Sequence, residues 1–123
     1  MRIYKEFAFD AAHHLPHVFP AGHSNHRLHG HSYRVRLTLE GEPDPESGLI
    51  RNLGDLVEWI SILREALDHR YLNEDVPGLE KPSIETIAVW IWRRLKPDLP
   101  ELAQVGVYRD SAGEGCEYEG GLE

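Results

Sequence analysis

Only one cysteine, Cys116, stands in the whole sequence. That excludes an intramolecular disulfide framework and a Cys-x-x-Cys metal knuckle, so stability has to come from packing and any metal from other ligands. Basic residues are scarce as well. Lys and Arg number 13 against 21 Asp and Glu, a formal net charge of −8 with histidine neutral. General nucleic-acid binding needs a basic footprint, which this composition does not provide. An anionic small-molecule substrate stays open, because a bound metal and a few arginines can reverse the potential locally. Long apolar runs are missing too. No stretch reaches the ~18 residues of a membrane span, and "MRIYKEFAFDAAHH" lacks the apolar run of a secretion signal. The default expectation is a cytoplasmic protein with neither membrane nor nucleic-acid partners.

What remains is an ordinary globular balance, with 41% hydrophobic and 28% charged residues. The chain, residues 1–123, is long enough for a single domain that buries a core without staples. In "RIYKEFAFDA", Ile3, Phe7 and Phe9 share a parity with Ala11 and His13, which predicts a strand with one buried face. "HLPHVFPAGHSNHRL" is a loop too long for a tight hairpin, of a length that is often functional. "HGHSYRVRLTLEGE" alternates again, with Tyr33, Val35, Leu37 and Leu39 on one face. After the turn "EPDPESG", Asn52 can cap a helix with Asp55 in the capping-box position. Leu53, Leu56, Val57, Ile60, Leu63, Ala66 and Leu67 follow at helical spacing. "DHRYLNEDVPGLEKP" reads as a connector. Ser83 caps a second helix carrying Ile84, Ile87, Ala88, Ile91, Trp92 and Leu95, and Pro97 stops it. "AQVGVYRD" and "CEYEGG" read as short strands joined by "SAGEG". The order ββααββ predicts an α+β fold, a four-stranded antiparallel sheet with two helices on one face.

The sequence is rich in one functional residue type. It has eight histidines, and those at 13, 14, 17, 23, 26, 29 and 31 all precede the second strand or open it. His29 and His31 flank Gly30, and residues i and i+2 of a strand point to the same face. Gly30 leaves room for a ligand or another backbone to approach. If the first two strands pair, His13 can face both imidazoles. Three histidines and an open position suit a catalytic zinc site, with Fe²⁺ or Ni²⁺ also compatible with imidazole. Polyhistidine loops also bind metal adventitiously, and spacing alone leaves both readings open.

Six segments occur in order: "FDAAHHL", "HRLHGHSY", "GLIRNLGDL", "LDHRYLN", "KPSIETIAVWIW" and "VGVY". Together they resemble the 6-pyruvoyl-tetrahydropterin synthase family over nearly the whole chain. They are most similar to its bacterial branch, the 6-carboxy-5,6,7,8-tetrahydropterin synthases of queuosine biosynthesis. The resemblance implies a tunnelling fold (T-fold) whose sheets close into trimeric barrels, two of which stack into a homohexamer with sites between subunits. It implies Zn²⁺ on His13, His29 and His31, and a pterin substrate, 7,8-dihydroneopterin triphosphate. It assigns proton relay to Asp68 and His69, and ring binding to the segment Ser83, Ile84 and Glu85. Without the resemblance, Asp68 and His69 would read as a helix end and Ser83 as a cap.

Two departures stand out against that pattern. The family's catalytic cysteine falls at Asn25 in one branch's spacing and at His23 in the other's. An asparagine amide is no base at neutral pH. His26 or His23 could replace the thiol, since imidazole titrates near neutrality, or add a metal ligand, or be plain loop residues. Near the C-terminus, Arg109 stands where the family anchors the pterin ring with a glutamate. A guanidinium has no acceptor for the ring's N–H groups. A shifted alignment would let Asp110 serve, although adjacent strand residues face opposite sides. The expected activity is thus a zinc-dependent lyase giving 6-carboxytetrahydropterin. The rivals are a divergent paralogue acting on, or only binding, another pterin or purine-like ligand, and a non-catalytic metal-binding protein.

Overall fold

In the computed structural model, which describes residues 1–123, four strands form one antiparallel sheet in the order β1-β2-β3-β4. They are β1 Arg2–His13, β2 His29–Glu40, β3 Leu102–Arg109 and β4 Glu114–Tyr118. Between β2 and β3 lie α1 Leu56–Leu67, the one-turn α2 Leu72–Asp75, and α3 Ile84–Leu95. The α+β class and the ββααββ order of the main elements are as the periodicity predicts.

The alternation decides which face is covered. Phe7, Phe9, Ala11 and His13 of β1 are buried, and so are Tyr33, Val35, Leu37 and Leu39 of β2. They meet Leu63 and Leu67 of α1 and Ile87, Ile91 and Leu95 of α3 in a core of 25 residues. The other face stays polar. There Arg34 pairs with Glu6 and with Asp110, and its guanidinium lies 4.2 Å from the centre of the Tyr108 ring. The Tyr108 ring lies across Gly106 and Gly115, and a Cβ on either glycine would collide with it. Bare backbone at these two positions is what lets the ring lie flat on the sheet.

Helix starts differ in detail from expectation. Asn52 does cap, but its side chain accepts from the Gly54 N–H at 2.9 Å and closes a single 3₁₀ turn, Leu53–Asp55. Asp55 makes no cap bond, and the α-helix proper begins at Leu56. Ser83 caps α3 as predicted, in a reciprocal box with Thr86: Ser83 Oγ accepts from Thr86 N at 3.1 Å and Thr86 Oγ1 from Ser83 N at 3.0 Å. The connector hides α2, a single turn too short to show a period, pinned by Asp75 accepting from Tyr71 N at 2.9 Å. Strand β1 ends at His13, as its alternation indicates, while β4 starts at Glu114, two residues before the run read as its strand.

Leu37 is fully buried at the centre of this packing. Leu37→Ala should therefore cost about 2–5 kcal/mol, as cavity-forming truncations of buried leucines do. Chemical denaturation would show this as a lower midpoint with an unchanged slope; a stability loss under ~1 kcal/mol would contradict the packing described.

Candidate metal centre

The register of β1 and β2 assembles the site. His13 lies directly opposite His29, and Ala11 opposite His31. All three histidines share the helix-covered face at the end of the sheet where β2 begins. Their rings form a near-equilateral triangle, with centroids 4.6 Å apart for His13–His29, 4.9 Å for His13–His31 and 4.7 Å for His29–His31. One ring nitrogen from each lies within 4.8 Å of the others. Gly30 faces the other way. It lines, with His31 and His69, a cleft on that side, where a Cβ would meet only the Ala11 carbonyl at an ordinary 3.7 Å.

Hydrogen bonds set the tautomers. His13 Nδ1 donates to the Pro82 carbonyl at 2.6 Å, and His29 Nδ1 to the Arg27 carbonyl at 2.7 Å. In the neutral rings, each Nε2 then carries a lone pair, and the two Nε2 atoms face each other at 3.0 Å. Two acceptors facing each other at this distance offer a cation two ligand atoms at once. Nitrogens bound to one tetrahedral zinc at about 2.0–2.1 Å lie about 3.3 Å apart. The donor set therefore fits a metal, and the carbonyls act as the outer partners that orient metal-binding imidazoles.

Electrostatics keep the ligands in their binding form. Burial pushes the His13 pKa down from 6.5 to about 4, helped by charge on His29, His31 and Arg109 and opposed by the Pro82 hydrogen bond. His31 is also pushed down to about 4, first by burial and then by the charges of Arg109 and His29. Arg109 Nη1 lies 3.4 Å from His31 Nε2. Its Nη2 pairs with Glu114 Oε1 at 2.6 Å, and its Nε is buried without a partner.

Asp68 and His69 occupy the outer edge of β1. Asp68 Oδ1 accepts from Asp10 N at 2.9 Å, and His69 N donates to Asp10 O at 2.6 Å, so the pair grips one residue of the strand from both sides. Asp68 Oδ2 is 3.1 Å from His69 Nδ1. The Asp10 N–H and then the His69 ring hold the Asp68 carboxyl below the usual carboxylate range. His69 has φ +59°, the only non-glycine residue in the left-handed region, and its side chain is 80% exposed. Strain of this kind concentrates at functional sites. A cleft of about 640 Å³ is lined by both His69 and His31, with Asp10, Tyr71 and Asp75 along it, but no hydrogen bond joins His69 to the three histidines.

The long loop is divided differently from what residue type suggests. Asn25 lines a cavity of about 370 Å³ together with His29, His31 and Arg27. His26 and His23 do not. His26 Nδ1 donates to the Phe19 carbonyl at 2.9 Å. His23 stacks on Phe19 with 4.5 Å between ring centroids and accepts from Asn25 N at 3.0 Å. Both imidazoles hold the loop together. Asp110 is remote from the histidines' face: Arg34 binds it bidentately, at 2.9 and 3.1 Å, on the polar side of the sheet. Ser83 spends its hydroxyl on the α3 cap, while Glu85 stands in the first turn of α3, near Cys116. Burial, and then the charge of Glu85, push the Cys116 thiol up, and its Sγ donates to the Ile84 carbonyl at 3.3 Å.

Residue type alone misses three contributors. The Pro82 carbonyl is silent in sequence, although it adjoins the capping Ser83. Asn73 clamps the start of the loop, accepting from His14 N at 3.0 Å and donating to His14 O at 2.9 Å. Tyr33, 1% exposed, lies under the cluster with its ring centre 5.8 Å from that of His31, and its hydroxyl is buried without a partner.

A four-stranded sheet roofed by two helices defines an α+β protein of the T-fold type, and the three facing imidazoles at one end form a group that could hold a metal ion. The model for the family "6-pyruvoyl tetrahydropterin synthase" matches residues 2–121. A Synechocystis 6-carboxy-5,6,7,8-tetrahydropterin synthase is 40% identical over 101 residues, covering 76% of this chain and 74% of that protein. The human 6-pyruvoyl tetrahydrobiopterin synthase is 34% identical over 121 residues, covering 87% and 83%. The solved structure of the Caenorhabditis elegans 6-pyruvoyl tetrahydropterin synthase superposes with a TM-score of 0.86 at 27% identity, over 98% of this chain and 96% of that one. The chain belongs to the 6-pyruvoyl tetrahydropterin synthase family. No helix is long and apolar enough to cross a membrane.

Two outcomes are expected. His29→Ala should abolish stoichiometric zinc binding, read by elemental analysis after dialysis; retained one-to-one zinc would remove His29 from the ligand set. The depressed His13 and His31 values also make the metal-free protein pH-sensitive. The unfolded chain takes up protons at these two residues below about pH 6.5, whereas the folded state resists until about pH 4. Their contribution is fully present above pH 6.5 and drains away toward pH 4. Thermal melts in chelator should show Tm falling across that window, more steeply than in a His13→Gln, His31→Gln variant.

Proposed function

We propose that this chain is a zinc-dependent carbon–carbon lyase that converts 7,8-dihydroneopterin triphosphate and one water to 6-carboxytetrahydropterin, with release of acetaldehyde and triphosphate. The observation that carries the reading is the pair of Nε2 atoms of His13 and His29, 3.0 Å apart with both Nδ1 positions already committed. His13, His29 and His31 would hold the ion. Zinc bound there supplies Lewis-acid polarisation of the substrate's side-chain oxygens, which acidifies the adjoining C–H protons.

The protein's own groups handle the protons. His69 is the acid–base residue of this reading, its ring oriented by Asp68 Oδ2 at 3.1 Å and open to solvent and substrate. Asn25 takes the cysteine's place beside the substrate as a neutral donor and acceptor. His26, the imidazole expected to replace the thiol, would have to give up its bond to Phe19 to reach the same cavity. The assembly we propose is a cytoplasmic homohexamer, a dimer of trimers, in which the free edges of β1 and β4 pair between copies. The exposed His69 at the β1 edge is then available to a site shared with a neighbour.

Arg109 favours one second reading, in which the metal site and fold serve a different pterin or purine-like ligand. Its guanidinium stands 3.4 Å from His31 with no acceptor to offer a ring edge.

The test is turnover of zinc-loaded protein on 7,8-dihydroneopterin triphosphate, read as 6-carboxytetrahydropterin and acetaldehyde. Metal-dependent product is expected. His69→Ala should lower kcat by about 10²-fold or more while zinc stays bound, and His26→Ala should leave it within a few-fold. No product from folded, zinc-loaded protein would turn the assignment to the second reading. A ~10²-fold loss in His26→Ala would make that imidazole the base.

A further inference from the structure

The pterin reading leaves the ring without a partner. An amino-pyrimidinone presents two parallel N–H donors, from its 2-amino group and N3, and a carboxylate accepts such a pair side by side. Arg109 holds only donors. Asp110 is on the opposite face, bound by Arg34. The carboxylate has to come from elsewhere on the histidines' face.

The hairpin supplies it. Arg109 and Glu114 are direct cross-strand partners of β3 and β4, so their side chains stand on the same face. Two steps along, Cys116 donates to the Ile84 carbonyl, which places this face under the start of α3. Across the sheet, His13 donates to Pro82 of the same segment. The residues Pro82–Glu85 thus roof the end of the sheet from the metal ligands to β4. Beneath them, the Arg109 guanidinium bridges the two halves of the site. Its Nη1 reaches toward His31 Nε2 at 3.4 Å, and its Nη2 holds Glu114 Oε1 at 2.6 Å. Arg109 thus stands between the carboxylate and the histidine cluster, in contact with Glu114 on one side and near His31 on the other. Glu114 is half-exposed, its Oε2 makes no protein bond, and each carboxylate oxygen can take a second donor.

We propose that Glu114 is the residue that reads the amino-pyrimidine edge of the ligand, and that Arg109 is its positioning residue. Arg109, its cross-strand partner on β3, holds Oε1 and leaves Oε2 free for the ring. This rests on the pterin reading of the site. It assigns the specificity for a 2-amino over a 2-oxo ring to a residue outside the metal cluster and outside the proton relay.

The experiment is a fluorescence titration of zinc-loaded, full-length protein with neopterin and with its 2-oxo (lumazine) analogue. The unsubstituted protein should prefer neopterin. Glu114→Gln should weaken neopterin at least tenfold and bind the lumazine more tightly, because a carboxamide can donate to the 2-oxo group. The exchange variant R109E/E114R, which moves the carboxylate to the cross-strand position on β3, should keep the neopterin preference. An unchanged preference in Glu114→Gln would overturn the assignment, as would loss of preference in Glu85→Gln instead. Failure of the unsubstituted protein to bind either ring would overturn it together with the pterin reading itself, which separates the two failures.

Discussion

The end of β1 is held by a buried imidazole with no freedom to turn. His13 is fully buried, its Nδ1 is spent on the Pro82 carbonyl, and its strand partner is His29. Each of those facts constrains a different part of the molecule. The Pro82 bond ties β1 to the segment that starts α3. The pairing with His29 sets the β1–β2 register, and a slip of one residue would send every inward side chain of β1 to the polar face. Burial keeps the ring neutral, hence a ligand. Core packing and site geometry are therefore not separable at this end of the sheet.

The polar and apolar faces of the sheet divide the work. Leu37, Val35 and Phe9 bury against the helices and carry the stability. The opposite face is laced with Arg34, Arg36, Glu6 and Asp110, whose exposed pairs contribute little to stability but leave a charged wall. In a barrel assembled from copies of this sheet, that wall would be the lining. The site lies at the junction of the two regimes, where apolar alternation ends in histidines and then in Arg109. There Arg109 is a guanidinium in a half-buried place beside three imidazoles, and its carboxylate partner comes from the neighbouring strand.

Much of this was legible in the chain itself. The alternation around Phe7–Ala11 and Tyr33–Leu39, the Ser83 cap and the His-x-His spacing each state a local rule, and the structure follows them. Where local rules are short-lived they mislead. Asn52 and Asp55 suit a capping box, yet a 3₁₀ turn intervenes, because Asn52 bonds to Gly54 and the helix starts one turn later. His26 has the residue type of a base, and in this structure its Nδ1 is bonded to the loop's own Phe19 carbonyl.

The sequence by itself determined the class: strands by period two, helices by period 3.6, and a trio of imidazoles that one antiparallel pairing brings together. Those are consequences of neighbours a few residues apart, or of a single register between two strands. Only the tertiary structure decided which nitrogens of His13 and His29 face one another, since that depends on carbonyls of Pro82 and Arg27. Only it put Asp68 and His69 on the edge of β1, Asp110 on the far face, and Glu114 against Arg109. These are matters of hairpin register and of contacts between residues far apart in the chain, 69 positions for His13 and Pro82 and 76 for Arg34 and Asp110. No local pattern encodes them, because the chain must first fold before those groups can meet.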